Sequence, residues 1–169
     1  MTGEGTVKIM AILNIVKEGD PVLRKTSREV TEITPRILRL LDDMKETLAD
    51  ANGCGLAAPQ VGVLRRVVLV DTEETGLLEM INPKIIAFTG TQEETEGCLS
   101  IPGVWGVTRR PASVTVKAMN RDGEEYTVTG SGLAARAFCH EIDHLDGHLF
   151  TDKAVRILTP DEVAEIRGE

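Results

Sequence analysis

Residues 140–144 read His-Glu-Ile-Asp-His and fall in the most apolar helical pattern of the chain, among Ala134, Ala137, Phe138, Ile142 and Leu145. No other feature constrains the fold as strongly. Two histidines and a glutamate carried into a core lose their hydration, which is costly unless partners replace it. On an α-helix, residues i and i+4 stand one turn apart on the same face, so His140 and His144 are placed to hold one ion between their imidazoles. Glu141 lies at the edge of that face, where its carboxylate is placed to take a proton from water activated by the ion. The spacing predicts a central helix from about residue 132 to 145, closed by Gly147.

A catalytic metal commonly keeps three protein ligands and an open position. The pattern with a third histidine six residues beyond His144 is excluded, because Phe150 stands there and His148 is out of register. Two sources remain. One is a glutamate roughly twenty residues on, for which Glu162 and Glu165 are available. The other is an upstream cysteine. Cys98 lies in Glu-Gly-Cys-Leu-Ser-Ile-Pro-Gly, residues 96–103, where glycine lets the backbone approach a ligand closely and a thiolate suits Zn²⁺ or Fe²⁺. The remaining cysteines, Cys54 and Cys139, read as ordinary buried thiols. Cys139 is turned about 100° around the helix from His140 and is not expected to bind the same ion. Three cysteines without a Cys-x-x-Cys pair do not form a disulfide framework.

A further constellation, Gly-Cys-Gly-Leu-Ala-Ala-Pro-Gln at residues 53–60, is too rich in Gly, Ala and Pro to be one regular element. Its small residues let a substrate backbone lie flat, and Gln60 offers an amide NH₂ to a developing oxyanion.

The rest of the chain supplies the scaffold. Its 169 residues fit one domain with a real core. Residues 1–9 lack periodicity and read as a disordered or appended N-terminal extension, with Met10 as an alternative start and a single catalytic domain over residues 10–169. Residues 10–16 form a β-rich run. Thr34 as N-cap and Pro35 at the first helical position open an amphipathic helix to about Asp50. Strands are predicted over residues 67–70, 77–81, 84–88, 113–118 and 125–128, with Asn120-Arg121-Asp122-Gly123 turning the last hairpin. Thr159 and Pro160 open a final short helix. Short strands broken by Gly, Pro or Asn imply an α+β fold, mostly antiparallel strands packed around the central metal-binding helix.

The charge balance, 19 basic against 27 acidic residues for a net −8, excludes a general nucleic-acid or anionic-membrane binder, which needs clustered Lys and Arg. The pairs Arg65-Arg66 and Arg109-Arg110 are expected to solvate strand ends. No apolar run reaches the ~18 residues of a membrane span, and the N-terminus carries no secretory pattern, so a cytoplasmic location is expected.

Taken in order, GCGLAAPQ at 53–60, EGCLS at 96–100 and HEIDH at 140–144 resemble the three signature motifs of the peptide deformylases. The resemblance includes Ile-Val-Lys-Glu-Gly-Asp-Pro-Val-Leu-Arg at 15–24 and spans the chain from Met10 to about Phe150. It implies hydrolytic removal of the formyl group from the N-terminal formylmethionine of nascent peptides, with release of formate. It also implies Cys98, His140 and His144 as ligands of one divalent ion, Fe²⁺ in many members with Zn²⁺ or Ni²⁺ as further occupants. Glu141 becomes general base and acid, and Gln60 with the Leu99 backbone N–H the oxyanion stabilisers. Leu133 and Ala137 resemble the lining of the family's methionine pocket, and Gly55 and Gly97 leave room for the peptide to pair as an added strand.

The chain departs from the family pattern in three places. Cys139 replaces a common Gln before the first metal histidine, and Trp105 stands where some members have a peptide-contacting Arg. The tail carries Asp161, Glu162, Glu165 and Glu169 against Arg167 where some bacterial members have a basic, ribosome-docking helix. Transient ribosome proximity, without direct nucleic-acid binding, is the corresponding expectation. The native metal, the oligomeric state and the peptide preference beyond methionine are not specified by the sequence.

Overall fold

A sheet buried on both faces organises the molecule. Residues 11–168 are described by a computed structural model; the expected N-terminal extension at residues 1–9, with Met10, lies outside them. Strands β1 (Gly55–Ala57), β2 (Val67–Thr72) and β3 (Gly76–Thr89) are followed by β4 (Gln92–Cys98), β5 (Ile101–Arg110), β6 (Ser113–Met119), β7 (Glu125–Ser131) and β8 (Ala154–Ile157). Five of them form an antiparallel sheet in the order β1-β2-β3-β6-β7, and β4, β5 and β8 form a second antiparallel sheet. Helix α1 (Pro35–Ala51) covers one face of the larger sheet, and α2 (Gly132–Leu145) covers the other.

The alternation of strand side chains explains that placement. Val67, Leu69 and Ile81 point to α1 and meet Leu41, Met44 and Leu48, while Val68, Val70 and Met80 point to the α2 side and meet Phe138 and Ala135. A strand buried on both faces reads as an unbroken apolar run, which is what residues 67–70 are. Helix α1 starts where the sequence predicts: the Thr34 side chain accepts from Ile37 N–H, Pro35 occupies the first turn, and Asn52 closes the helix at φ 54°. The short helices α3 (Phe150–Lys153) and α4 (Pro160–Ile166) complete the chain, the latter capped by Thr159.

Five elements differ from the sequence expectation. Residues 11–16 form no strand; they run as coil, tied by Leu13 N–H to Thr47 Oγ1 at 2.8 Å and Val16 N–H to the Gln60 carbonyl at 2.7 Å. The two strands expected on either side of Asn82-Pro83 are one, β3, with a register shift there. Asn82 absorbs it at φ 52°, and its side-chain amide exchanges two hydrogen bonds with the Val30 backbone, at 2.9 and 2.8 Å. The strands β4, β5 and β8 are absent from the sequence reading. Residues 53–62 resolve into the short strand β1 and a 3₁₀ turn over Ala58–Val61.

Candidate metal centre and peptide pocket

Helix α2 carries the site because its polar face turns toward the second sheet. One donor atom each from Cys98, His140 and His144 lies within 4.8 Å of the others, the group among the described residues able to hold a metal ion. Cys98 Sγ stands 3.4 Å from His144 Nε2. Both imidazoles and Glu141 are buried. Glu162, open as an alternative third ligand, is instead on the surface, where both its oxygens accept from Arg156 at 2.8 Å, and Cys139 lies outside the cluster.

The donor set fits a divalent cation on its own geometry. His140 Nδ1 is occupied by Glu96 Oε2, leaving Nε2 for the cluster. Burial alone would lower the proton affinity of His140, yet Glu141, Cys98 and Glu96 together raise it well above the ordinary range. A site that draws a proton so strongly is electrostatically suited to a cation. His144, by contrast, is held well below its usual range by burial and by His140, so it presents a neutral ring. Glu141 Oε1 is buried with no hydrogen-bond partner. Burial, against the opposing pull of His140, pushes the Glu141 carboxyl up to about 7.

Gln60 is fixed from behind. It is 1% exposed in the 3₁₀ turn, and its Oε1 accepts from Ala57 N–H at 2.9 Å. Its NH₂ group therefore turns inward, donating to Ser100 Oγ at 3.1 Å and lying 3.5 Å from Cys98 Sγ. The cluster opens into a cavity of about 520 Å³, whose lining includes Leu99, Trp105, Leu133, Arg136 and Ala137. Ala137 is buried in its wall, and Leu133, 49% exposed, stands at its mouth.

Gly55 and Gly97 line the same cavity, but the space their missing side chains leave is filled from within the protein. A Cβ on Gly55 would sit 2.5 Å from Glu141 Oε2, and one on Gly97 would sit 2.9 Å from the Trp105 ring. Each glycine thus admits a neighbouring side chain in addition to baring its backbone to the cavity.

Sequence reasoning missed the support beneath His140. Glu96, 5% exposed, accepts from Thr108 Oγ1 at 2.7 Å and from Arg110 at 3.1 and 2.7 Å. Arg110 reaches on to Asp143 Oδ2 at 2.8 Å, and Lys153 bonds the other oxygen of Asp143 at 2.9 Å. Burial works against the Glu96 charge, but His140 and Arg110 outweigh it and hold the carboxyl at about 2. The pair Arg109-Arg110 therefore splits. Arg109 does solvate, pairing with exposed Glu93 at 2.8 Å, whereas Arg110 is 5% exposed and faces α2. Arg66 is likewise no free strand end: it donates to the Leu145 carbonyl at 3.2 Å and to Asp146 at 3.0 Å, clamping the C-terminus of α2. A usable signal for Glu96 existed, since in a strand it shares a face with Cys98, two residues on.

A Cys/His/His cluster with a buried glutamate beside it, set between antiparallel sheets and open to an apolar cavity, defines a metal-dependent hydrolase. A model of the polypeptide deformylase family matches residues 12–159. The peptide deformylase of Acetivibrio thermocellus is 57% identical over 158 residues, covering 94% of this chain and 92% of that protein. Among solved structures, the peptide deformylase of Synechococcus elongatus in complex with actinonin superposes with a TM-score of 0.83 at 36% identity, covering 96% of this chain and 90% of that one. The Acinetobacter baumannii enzyme with Met-Ala-Ser bound gives 0.81 at 31% identity, covering 86% and 99%. The chain belongs to the peptide deformylase family, hydrolases that remove the N-formyl group from nascent peptides.

Proposed function

We propose that Cys98, His140 and His144 hold one divalent cation and that Glu141 is the general base and acid of deformylation. The observation that carries this reading is the convergence of three donor atoms within 4.8 Å beside the unpartnered Glu141 oxygen. A cation bound there supplies the Lewis acidity that activates water and polarises the formyl carbonyl. Glu141 takes a proton from the attacking water and gives it to the leaving amine. A carboxyl poised near 7 suits both halves of that transfer. Gln60 Nε2 and the Leu99 N–H donate to the developing oxyanion, with Gln60 pre-oriented by its bond from Ala57.

The formylmethionyl peptide lies along Gly55 and Gly97, with its methionine against Leu133 and Ala137. Support comes from the placement of all four on one cavity and from the Met-Ala-Ser held by the Acinetobacter baumannii relative. A formyl carbon bears only hydrogen, so a cramped site admits it and excludes acetyl. Fe²⁺ is the cation we assign, with Zn²⁺ or Ni²⁺ as substitutes, since a Cys/His/His set accepts several and availability decides among them. Residues 10–169 act as a single catalytic domain in the cytoplasm. The acidic residues of the tail favour transient proximity to the ribosome over direct attachment to its RNA.

Formate release from formyl-Met-Ala by anaerobically prepared protein tests the assignment. Glu141→Gln is expected to keep its metal and lose about 10²- to 10⁴-fold in kcat, whereas Cys98→Ala loses the metal itself. Full metal content and activity in the Cys98 variant would refute the ligand set. Loss of activity in air, as the iron or the Cys98 thiolate oxidises, supports Fe²⁺; an unchanged rate after prolonged aeration points to Zn²⁺ or Ni²⁺.

A further inference from the structure

A second groove, of about 380 Å³, lies between β5, β8 and α4, with Val104, Ile157, Leu158, Val163 and Ala164 among its lining. Its floor is preformed: Leu158 and Val163 are buried, and Leu158 N–H donates to the Trp105 carbonyl at 2.8 Å, tying the end of β8 to β5. Its rim is not covered, since Ile157 is 47% exposed. The groove adjoins the main cavity, with Gly103 and Val104 lining both. At that junction Gly103 is exposed and carries no side chain, and a Cβ there would meet nothing within 4 Å.

We infer that this groove is a downstream subsite that receives apolar side chains of the substrate peptide beyond its third residue. The inference rests on the active-site reading above, which places the formylated end at the metal cluster and obliges the rest of the chain to leave the cavity over some part of its rim. An extended peptide advances about 3.3 Å per residue, so a groove opening beside the cavity is reached a few residues after the methionine. Gly103, without a side chain, gives the passage, and the lining beyond it, apolar apart from Arg167, gives the preference. An extended strand in the groove would set alternate side chains against Ile157 and Val163, as peptides do when pockets beside a sheet edge read them.

The experiment compares formyl-Met-Ala-Ser with two six-residue substrates, formyl-Met-Ala-Ser-Leu-Val-Leu and formyl-Met-Ala-Ser-Ser-Gly-Ser. The apolar tail is expected to lower KM roughly three- to tenfold relative to the polar tail, the effect of partly burying one or two apolar side chains. Ala164→Glu on α4, and independently Ile157→Thr on β8, should bring that ratio close to one. Binding of the deformylated six-residue products, followed through the emission of Trp105, the single tryptophan, should show the same ordering without turnover. Equal KM for the two tails in the unaltered protein, or an undiminished ratio in both variants, would overturn the subsite. A change from dimer to monomer in Ile157→Thr with the ratio intact would assign the groove to a second copy of the chain and also overturn it. Product peptides that bind with the expected ordering while no formate is released from any substrate would support the groove and refute the catalytic reading.

Discussion

Glu96 Oε2 lies 2.5 Å from His140 Nδ1, with both side chains buried. The bond fixes the ring's orientation and leaves Nε2 to the Cys98–His140–His144 cluster, so on the proposed ligand set Glu96 would act on the cation through His140 without touching it. Glu96→Gln is therefore expected to weaken metal affinity about 10- to 100-fold, read by competition against a chromophoric chelator. The fold should survive, because the amide oxygen can still accept from Thr108 and Arg110. Unchanged affinity would show that the imidazole is held by its packing against Phe150 and not by the carboxylate.

Arg110 stands between two carboxylates, Glu96 and Asp143, and is itself buried. Removing the cation and keeping the volume strands Glu96 as a buried charge, so Arg110→Met should destabilise the protein by about 3–5 kcal/mol. Its neighbour provides the internal control. Arg109 pairs with Glu93 in solvent, and Arg109→Met should cost less than about 1 kcal/mol. Urea denaturation of the two variants side by side measures the difference, and similar costs would mean that the Arg110 network is energetically idle.

Tyr126 on the edge strand β7 reaches across β6 to the central strand β3 through a 2.6 Å hydrogen bond from its hydroxyl to the Glu79 carbonyl. Burial, reinforced by the Glu79 carboxylate, pushes its phenol up to about 12 from an ordinary 10. Below the ordinary value the phenol is neutral whether the chain is folded or not, and the bond contributes fully. Between the two values the unfolded chain releases a proton that the folded one retains, so stability falls as pH rises toward about 12. Tyr126→Phe should be about 1 kcal/mol less stable near neutrality, and that deficit should shrink above about pH 10. A deficit that stays constant into the alkaline range would remove burial as the cause.

The helices were legible in the sequence because their signals are local. Thr34, Pro35 and the three-to-four spacing of Ile37, Leu41, Met44 and Leu48 define α1, and the histidine pair with its apolar neighbours defines α2. Cys98, His140 and His144 could be brought together through motif order. What stayed hidden depends on contacts remote in the chain. Residues 92–98 and 101–110 contain acidic runs, glycines and a proline that mask strand periodicity, and they are strands because they pair with each other across a tight turn. Arg110 carries no mark that separates it from Arg109; its burial follows from Glu96 and Asp143, the latter 33 residues away. The apolar residues 11–16 lack a strand partner and so remain coil despite their β-prone composition.

Gly55 is the position where the smallest change should test the catalytic geometry most directly. Strand β1 is paired with β2 along its whole length, and Glu141 rises from a helix packed on that sheet, so neither backbone has room to retreat. A methyl group at Gly55 would come within 2.5 Å of Glu141 Oε2 and 2.9 Å of its Cγ and Cδ, and the carboxylate is the part that must move. Displacing a general base by about 1 Å costs on the order of 10²-fold in kcat. Gly55→Ala is thus expected to retain its metal and lose about that much turnover. Gly123→Ala, in a hairpin turn at φ +80°, should instead lose about 1 kcal/mol of stability and keep its kcat. Formate release, metal content and urea unfolding on both variants separate the two effects. Wild-type turnover in Gly55→Ala would mean that the Glu141 carboxylate does its work from a position other than the one against Gly55.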